Sequence, residues 1–171
     1  MSKERVEILA SKFITKFFAE MHKISLKKFI YRLPIRGKKR KRVQKLIFGV
    51  ITYLSTLDRA LKETIKDFRP EDKTSFMNNL LRVLAYRILY QNLSVDRLLS
   101  ELKDTINIRP EFIQSISFPK PIDTIDELVI HYGYPRWMIE ILNNFISESE
   151  LKSLLAAMNR SCLLYTSPSP R

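Results

Sequence analysis

Residues 75–92 constrain the fold more than any other stretch of the chain. Their apolar positions follow helical spacing and also fill the gaps within it, at Phe76, Leu80, Leu81, Val83, Leu84, Ala85, Ile88 and Leu89. Only Arg82, Arg87 and a few amides interrupt the pattern. A helix that is apolar over most of its circumference is normally enclosed by other helices. The sequence therefore predicts a helical bundle around a central helix at about residues 75–91.

Composition supports an all-α fold. The chain has 171 residues, 45% of them hydrophobic, which is enough to bury the core of one domain. It contains only 3 glycines, too few for a sheet protein with many tight hairpins. Alternating β-type patterns are also scarce, so we predict an all-α fold.

Amphipathic segments flank the central helix on both sides. Residues 3–21 carry one apolar stripe and are predicted to form the first helix. Ser55 or Thr56 is expected to cap the helix that precedes the central one. Near the end of the chain, Ser147 and Glu150 match a capping box, which predicts the start of the last helix.

Positive charge is concentrated in the first quarter of the chain. Residues 1–45 contain 15 Lys and Arg residues against 3 acidic ones, whereas residues 46–171 contain 15 of each kind. The whole formal net charge of +12 therefore lies before residue 46. Such an asymmetry indicates a polyanionic partner, with nucleic acid first and an anionic membrane surface second.

One basic run supplies the candidate binding residues. Seven of the ten residues from 36 to 45 are basic and none is acidic; the basic ones are Arg36, Lys38, Lys39, Arg40, Lys41, Arg42 and Lys45. The run leads into an apolar stripe, so it occupies the first turns of a helix, where positive charge opposes the helix dipole. Because a cluster placed against that preference serves a partner rather than the fold, these side chains are predicted to bind the phosphates of a nucleic acid. The alternative interpretation is a solvated charged turn or a localisation-like signal.

Cysteine content and hydropathy bear on location. Cys162 is the only cysteine, so the chain can form no internal disulfide. No secretory signal is recognisable, and the longest nearly apolar run, residues 46–57, is too short to span a bilayer. We expect a cytoplasmic protein that does not insert into membranes.

Several segments together resemble the NusB-like RNA-binding domain. They are Lys45-Leu46-Ile47-Phe48-Gly49-Val50-Ile51, Leu57-Asp58, and Leu80-Leu81-Arg82-Val83-Leu84-Ala85-Tyr86-Arg87-Ile88-Leu89. That family has a Leu-x-x-Gly-Val helix, a Leu-Asp helix start and a Leu-Arg core helix. Two later segments are similar to the region after this domain in Sun-type (RsmB-like) RNA cytosine-5 methyltransferases, namely Tyr134-Pro135-Arg136-Trp137-Met138 and Ala156-Ala157-Met158-Asn159.

The resemblance implies a division of the chain. Residues 1–35 would be a basic helical extension, residues 36–117 the NusB-like RNA-binding domain, and residues 118–160 a helical linker toward a methyltransferase domain that this chain lacks. Residues 161–171 resemble a translated sequencing adapter, and we interpret them as a non-native tail. The implied partners are rRNA or tRNA and, within the full protein, the absent catalytic domain.

Catalytic chemistry is not expected in this chain. In the methyltransferase family, catalysis is attributed to two cysteines and a Gly-rich S-adenosylmethionine pocket. Gly37, Gly49 and Gly133 stand too far apart to form such a loop, and Cys162 lies in the suspect tail. We expect no catalytic residue, metal or cofactor here, and S-adenosylmethionine would be bound by the absent domain.

Aromatic residues near the basic run are candidates for stacking on unpaired bases. Tyr31, Phe48 and Tyr53 are near enough along the sequence, although helical spacing favours core or helix-surface positions for Phe48 and Tyr53. Trp137 is interpreted as a packing anchor between the helical domain and the segment leading to the absent domain.

Two other functions are compatible with these patterns. The main alternative is a stand-alone NusB-type transcription antitermination factor; residues 118–160 argue against it, because such a protein would end near the connector at residues 118–121. The third is a helical DNA-binding regulator. It would need a helix–turn–helix with polar recognition side chains, whereas the basic run leads into an apolar core helix.

Overall fold

A computed structural model of the chain describes residues 5–20, 25–102 and 109–159. Over these residues every regular element is an α-helix and no strand occurs, so the predicted all-α class is confirmed. The helices are α1 (Val6–Glu20), α2 (Leu26–Tyr31), α3 (Gly37–Thr52), α4 (Leu54–Thr64), α5 (Phe76–Leu89), α6 (Val95–Leu102), α7 (Pro110–Gln114), α8 (Thr124–Tyr132), α9 (Arg136–Asn143) and α10 (Glu148–Asn159). None of these described helices is long and apolar enough to cross a bilayer.

The chain divides into two compact units, Met1–Pro119 and Lys120–Arg171. The first holds α1 to α7 and the second holds α8 to α10. The proposed boundary after residue 117 lies close to this division, whereas residue 35 marks no boundary between compact units. The suspected tail, residues 161–171, lies outside the described residues.

The central helix of the first unit is α5, which packs against α1, α3 and α4. Its start is fixed by Ser75, whose hydroxyl accepts a hydrogen bond from the Asn78 N–H at 3.3 Å. Apolar side chains all around it are buried, namely Leu80, Leu81, Val83, Leu84, Ala85, Tyr86 and Leu89. The prediction of an enclosed central helix is therefore confirmed.

The first helix belongs to the same core. Ala10, Ile14 and Phe17 of α1 are buried in the cluster that also holds the α5 side chains. This face follows the stripe expected of an amphipathic helix. The segment treated as an extension is thus, over residues 6–20, an integral part of the first unit.

A buried arginine joins α5 to α4. The Arg82 side chain is fully buried, and its guanidinium donates to both carboxylate oxygens of Asp58, at 2.6 and 3.2 Å. It also donates to Oδ1 of Asn79 at 2.9 Å and to the carbonyl of Pro70 at 2.8 Å. These bonds compensate the loss of hydration that a buried charge would otherwise suffer. The Leu-Asp and Leu-Arg segments of the sequence therefore meet in one ion pair.

Gly49 lies where α3 approaches α5. A Cβ at this position would overlap the end of the Tyr86 ring, so only glycine fits. Tyr86 in turn stacks with Tyr53 and Tyr90, and the ring centroids of Tyr53 and Tyr90 lie 3.8 Å apart. The glycine thus permits an aromatic cluster between these helices.

The turn between α3 and α4 differs from the expectation. Tyr53 alone separates the two helices and occupies the N-cap of α4 without a side-chain capping bond. The Leu57 N–H donates to the Tyr53 carbonyl at 2.9 Å, so the helix is already under way at Thr56. The expected cap at Ser55 or Thr56 is wrong.

The second unit has its own apolar core. Its buried members are Leu128, Ile139, Leu151 and Leu155. The predicted capping box starts α10: the Ser147 N–H donates to Oε2 of Glu150 at 3.0 Å, and the Glu150 N–H donates to Oγ of Ser147 at 3.4 Å.

Trp137 does not anchor that core. It is 63% exposed, and α9 instead buries Ile139, two residues further on. Positions two apart on a helix lie on nearly opposite sides, so the inward choice of Ile139 turns Trp137 and Ile141 outward. The expectation of a buried packing role for Trp137 is wrong within this unit.

Candidate nucleic-acid interface

A basic cleft of about 740 Å³ lies in the first unit. The start of α1, the first turns of α3, the end of α5 and the start of α6 contribute to its walls. Its cationic lining residues are Arg5, Lys38, Lys39, Arg42, Lys45, Arg87 and Arg97, and its one acidic lining residue is Glu7. Cations that face one another across a concave surface raise the local positive potential above that of a flat surface.

Helix α3 supplies one wall through its spacing. Lys38, Arg42 and Lys45 are four and three residues apart, which places them on one face of the helix. Leu46, next to Lys45, also lines the cleft and is buried. The apolar face of α3 is buried in the core, and the basic face lies next to it on the helix. The basic face therefore points into the cleft.

The structure separates the seven predicted binding residues into three groups. Lys38, Lys39, Arg42 and Lys45 line the cleft, while Arg36 and Lys41 are exposed but do not line it. Arg40 turns toward α2, where its guanidinium donates to the carbonyls of Ile30 at 3.3 Å and Tyr31 at 3.0 Å. Arg40 therefore contributes to the fold by binding the last carbonyls of a helix.

Three basic residues of the cleft were not predicted, because they come from distant parts of the chain. Arg5 precedes α1, Arg87 lies in the last turn of α5, and Arg97 lies on α6. Arg87 had a sequence signal, since it interrupts the apolar pattern of the central helix. Arg5 and Arg97 are far from the basic run in the sequence, so spacing alone cannot assign them to a common site.

An ion pair holds one of these arginines in place. The guanidinium of Arg87 binds the carboxylate of Glu7, and both side chains are largely buried. Glu7 therefore orients Arg87 and balances its charge, so the excess positive charge of the cleft comes from the other basic residues.

An amide side chain also lines the cleft, just after the end of α5. Gln91 lines the cleft, directly after the C-cap residue Tyr90. Burial raises the pKa of Tyr86, and the neighbouring Gln91 side chain acts in the opposite direction. Tyr86 is thus a neutral phenol at physiological pH.

The aromatic candidates for base stacking do not line this cleft. Tyr31 is 70% exposed, and Phe48 is exposed on α3. Tyr53 is half-buried and stacks on Tyr90, which supports the packing role favoured by its spacing.

In the described part of the chain, no group of three or more His, Cys, Asp or Glu residues is arranged to hold a metal ion. The polar side chains of the cleft are cationic or amide, with a single carboxylate. Such a lining can bind an anion and orient a polar ligand.

No protein-family model matches this chain, and no curated protein or solved structure shows a significant match to it. The resemblance to the NusB-like domain therefore stays a prediction.

Proposed function

We propose that the first unit is a NusB-like RNA-binding module that serves a Sun-type RNA cytosine-5 methyltransferase. The basic cleft is the observation that carries this proposal. The module would hold rRNA or tRNA in the cytoplasm so that a catalytic domain beyond this chain reaches its base. S-adenosylmethionine and the reaction itself would belong to that domain.

The shape of the cleft favours RNA over a membrane surface. Its basic side chains converge from the start of α1, from α3, from the end of α5 and from α6. A nucleic acid backbone can enter a concave groove and place phosphates against several walls, whereas a bilayer presents a broad surface. Four of the seven residues predicted from the basic run lie in these walls.

The buried ion pair gives the resemblance a physical basis. Asp58 and Arg82 stand in the two short segments that match the family pattern, and they bind each other in the core. Each of these charged residues requires the other, because a buried charge needs a partner of opposite sign. This requirement supports the interpretation of the two segments as parts of one motif.

The proposal is tested by RNA binding at several salt concentrations. The double variant Lys38→Ala with Lys45→Ala removes two cleft charges, and Lys62→Ala with Lys66→Ala removes two exposed charges from outside the cleft. Fluorescence anisotropy with a labelled rRNA fragment should show weaker binding for the cleft variant only. The slope of log K against log salt should become shallower by about 0.7 for each phosphate that the variant no longer binds.

Equal weakening by both double variants would contradict a specific site and indicate general charge attraction. The link to a methyltransferase has a separate test, which is the coding sequence after codon 160. The proposal expects an open reading frame with a Gly-rich cofactor loop and two cysteines. A natural stop after residue 171 would overturn that link and leave a stand-alone RNA-binding factor.

A further inference from the structure

Glu7 differs in charge from every other ionisable side chain that lines the cleft. The described lining contains seven cations and this single carboxylate. The carboxylate binds the guanidinium of Arg87, at the end of α5. A carboxylate and a phosphate both accept N–H bonds from the planar fork of an arginine. Glu7 therefore occupies a position on Arg87 that a phosphate of the ligand could take.

The ion pair is within reach of a ligand that has already bound the exposed cations. The Arg87 side chain is 21% exposed and that of Glu7 is 8% exposed. Lys38, Arg42 and Lys45 line the same cleft and are exposed. A strand that binds these cations first holds its next phosphates close to Arg87, at a high effective concentration. The strand can then compete with Glu7 for the guanidinium.

Exchange of one anion for the other leaves no buried charge without a partner. A buried guanidinium stripped of its counter-ion would be unfavourable, but here the phosphate replaces the carboxylate. The carboxylate that is released also keeps a favourable place. Glu7 lies in the first turn of α1, where the helix dipole favours negative charge.

We propose that a phosphate of the bound RNA displaces Glu7 from Arg87, so that Glu7 is an internal competitor for the cleft. Each strand that reaches Arg87 must first break the ion pair, and its net gain there is smaller than at a cation without an internal partner. Glu7 therefore limits how tightly the cleft holds RNA. This inference rests on the proposed RNA-binding function and adds an autoinhibitory contact to it.

Glu7→Gln removes the competing charge and keeps the length of the side chain. Fluorescence anisotropy with a labelled rRNA fragment should show about tenfold tighter binding, which corresponds to one charge-assisted hydrogen bond. The matched control is Glu63→Gln, which removes a negative charge from an exposed ion pair outside the cleft. It should change the RNA affinity by less than about twofold, because solvent screens exposed charges.

A double-mutant cycle separates exchange at Arg87 from long-range attraction, since loss of any negative charge near the cleft favours a polyanion. In an Arg87→Gln background there is no guanidinium to exchange. There Glu7→Gln should change the RNA affinity by less than about twofold. Circular dichroism checks that each variant of the cycle keeps its helices.

A second measurement follows Glu7 in the unchanged chain and so does not depend on the folding of a variant. The side-chain carboxyl carbon of Glu7 can be assigned through bonds from its backbone amide in a ¹³C-labelled sample. When RNA saturates the chain, the chemical shift of this carbon should move toward that of the exposed glutamates.

The outcomes distinguish this inference from the function on which it rests. Absence of RNA binding to the unchanged chain at low salt overturns the proposed function and the exchange with it. RNA binding that Glu7→Gln weakens or leaves unchanged overturns the exchange alone and shows that Glu7 only orients Arg87. A gain that persists in the Arg87→Gln background, or a Glu7 carbon that RNA does not affect, also overturns the exchange alone.

Discussion

Arg82 shows how a single charged residue can determine which helices meet. Burying a guanidinium is unfavourable unless partners replace its hydration, and here Asp58, Asn79 and Pro70 do so. The Arg82 guanidinium also lies 5.4 Å from the centre of the Phe68 ring. Burial raises the pKa of Asp58, and the neighbouring guanidinium opposes that change. The pair is therefore costly to break from either side.

Asp58→Asn should lower the free energy of unfolding by about 3–5 kcal/mol, because it leaves a buried positive charge without its counter-ion. Urea denaturation followed by circular dichroism measures the change. The matched control is Glu63→Gln, which alters the exposed ion pair with Arg59 and should cost no more than about 1 kcal/mol. Equal effects of the two variants would contradict a structural role for the buried pair.

Gly49 provides a second prediction at the scale of one residue. In an ordinary helix interior Gly→Ala stabilises by about 0.5–1 kcal/mol, but here the new methyl group would overlap the Tyr86 ring. We expect Gly49→Ala to destabilise by about 1–3 kcal/mol in urea denaturation.

A double-mutant cycle checks the cause of that destabilisation. In a Tyr86→Leu background the ring is absent, so Gly49→Ala should become neutral or stabilising. A penalty that persists without the ring would show that some other neighbour requires glycine.

Helix α3 carries its positive charge at the end where the helix dipole opposes it. No acidic residue lies in its first turn, and Arg36 makes no side-chain capping bond. Arg40 offsets part of this by binding the end of α2. The helix therefore sacrifices some stability for the charge of the cleft.

Lys38→Glu should stabilise α3 at the expense of RNA binding. It places a negative charge in the first turn of α3 and should raise stability by about 0.3–1 kcal/mol while weakening RNA binding. Lys62→Glu makes the same charge change in the last turn of α4, outside the cleft, and should lower stability and spare the cleft. Thermal melting and anisotropy measure the two effects, and a parallel change in both properties would contradict the trade-off.

The elements differ in how far the sequence alone could predict them. The central helix was accessible because its apolar circumference and the Ser75 cap are local properties. The α3–α4 turn could not be predicted in this way. The stacking of Tyr53 with Tyr90 and the close approach at Gly49 depend on contacts with α5, which is distant in the sequence. For the same reason the basic run predicted one wall of the cleft, whereas Arg5 and Arg97 came together only in the folded chain.

At the scale of the whole molecule, the two units have separate cores, so we expect the stability of each to depend on pH in its own way. In the second unit Asp123 caps α8 and also binds Arg136 of α9, with Oδ2 2.7 Å from the guanidinium. The Arg136 hydrogen bond, together with the Asp126 N–H, lowers the pKa of Asp123. Because the folded-state pKa is below the ordinary value of 3.8, this contribution to stability is present above that pH and is lost as pH falls through the lowered pKa.

Acidification should therefore loosen α8 and α9, and Asp123→Asn should remove that pH dependence while keeping a good helix cap. Amide hydrogen exchange of peptides from residues 122–145, corrected for the intrinsic effect of pH, measures the change. A variant that responds to acid as strongly as the unchanged chain would contradict the assignment to Asp123.

The outward position of Trp137 gives the molecule an optical label. It is the only tryptophan of the chain and lies in the second unit, whereas the tyrosine cluster lies in the first. Red-edge excitation selects indole emission, so the anisotropy of that emission follows the motion of the second unit alone. Far-ultraviolet ellipticity follows the helices of both units. Denaturation curves from the two signals should coincide if the units melt as one cooperative system, and curves with different midpoints would show that they melt separately.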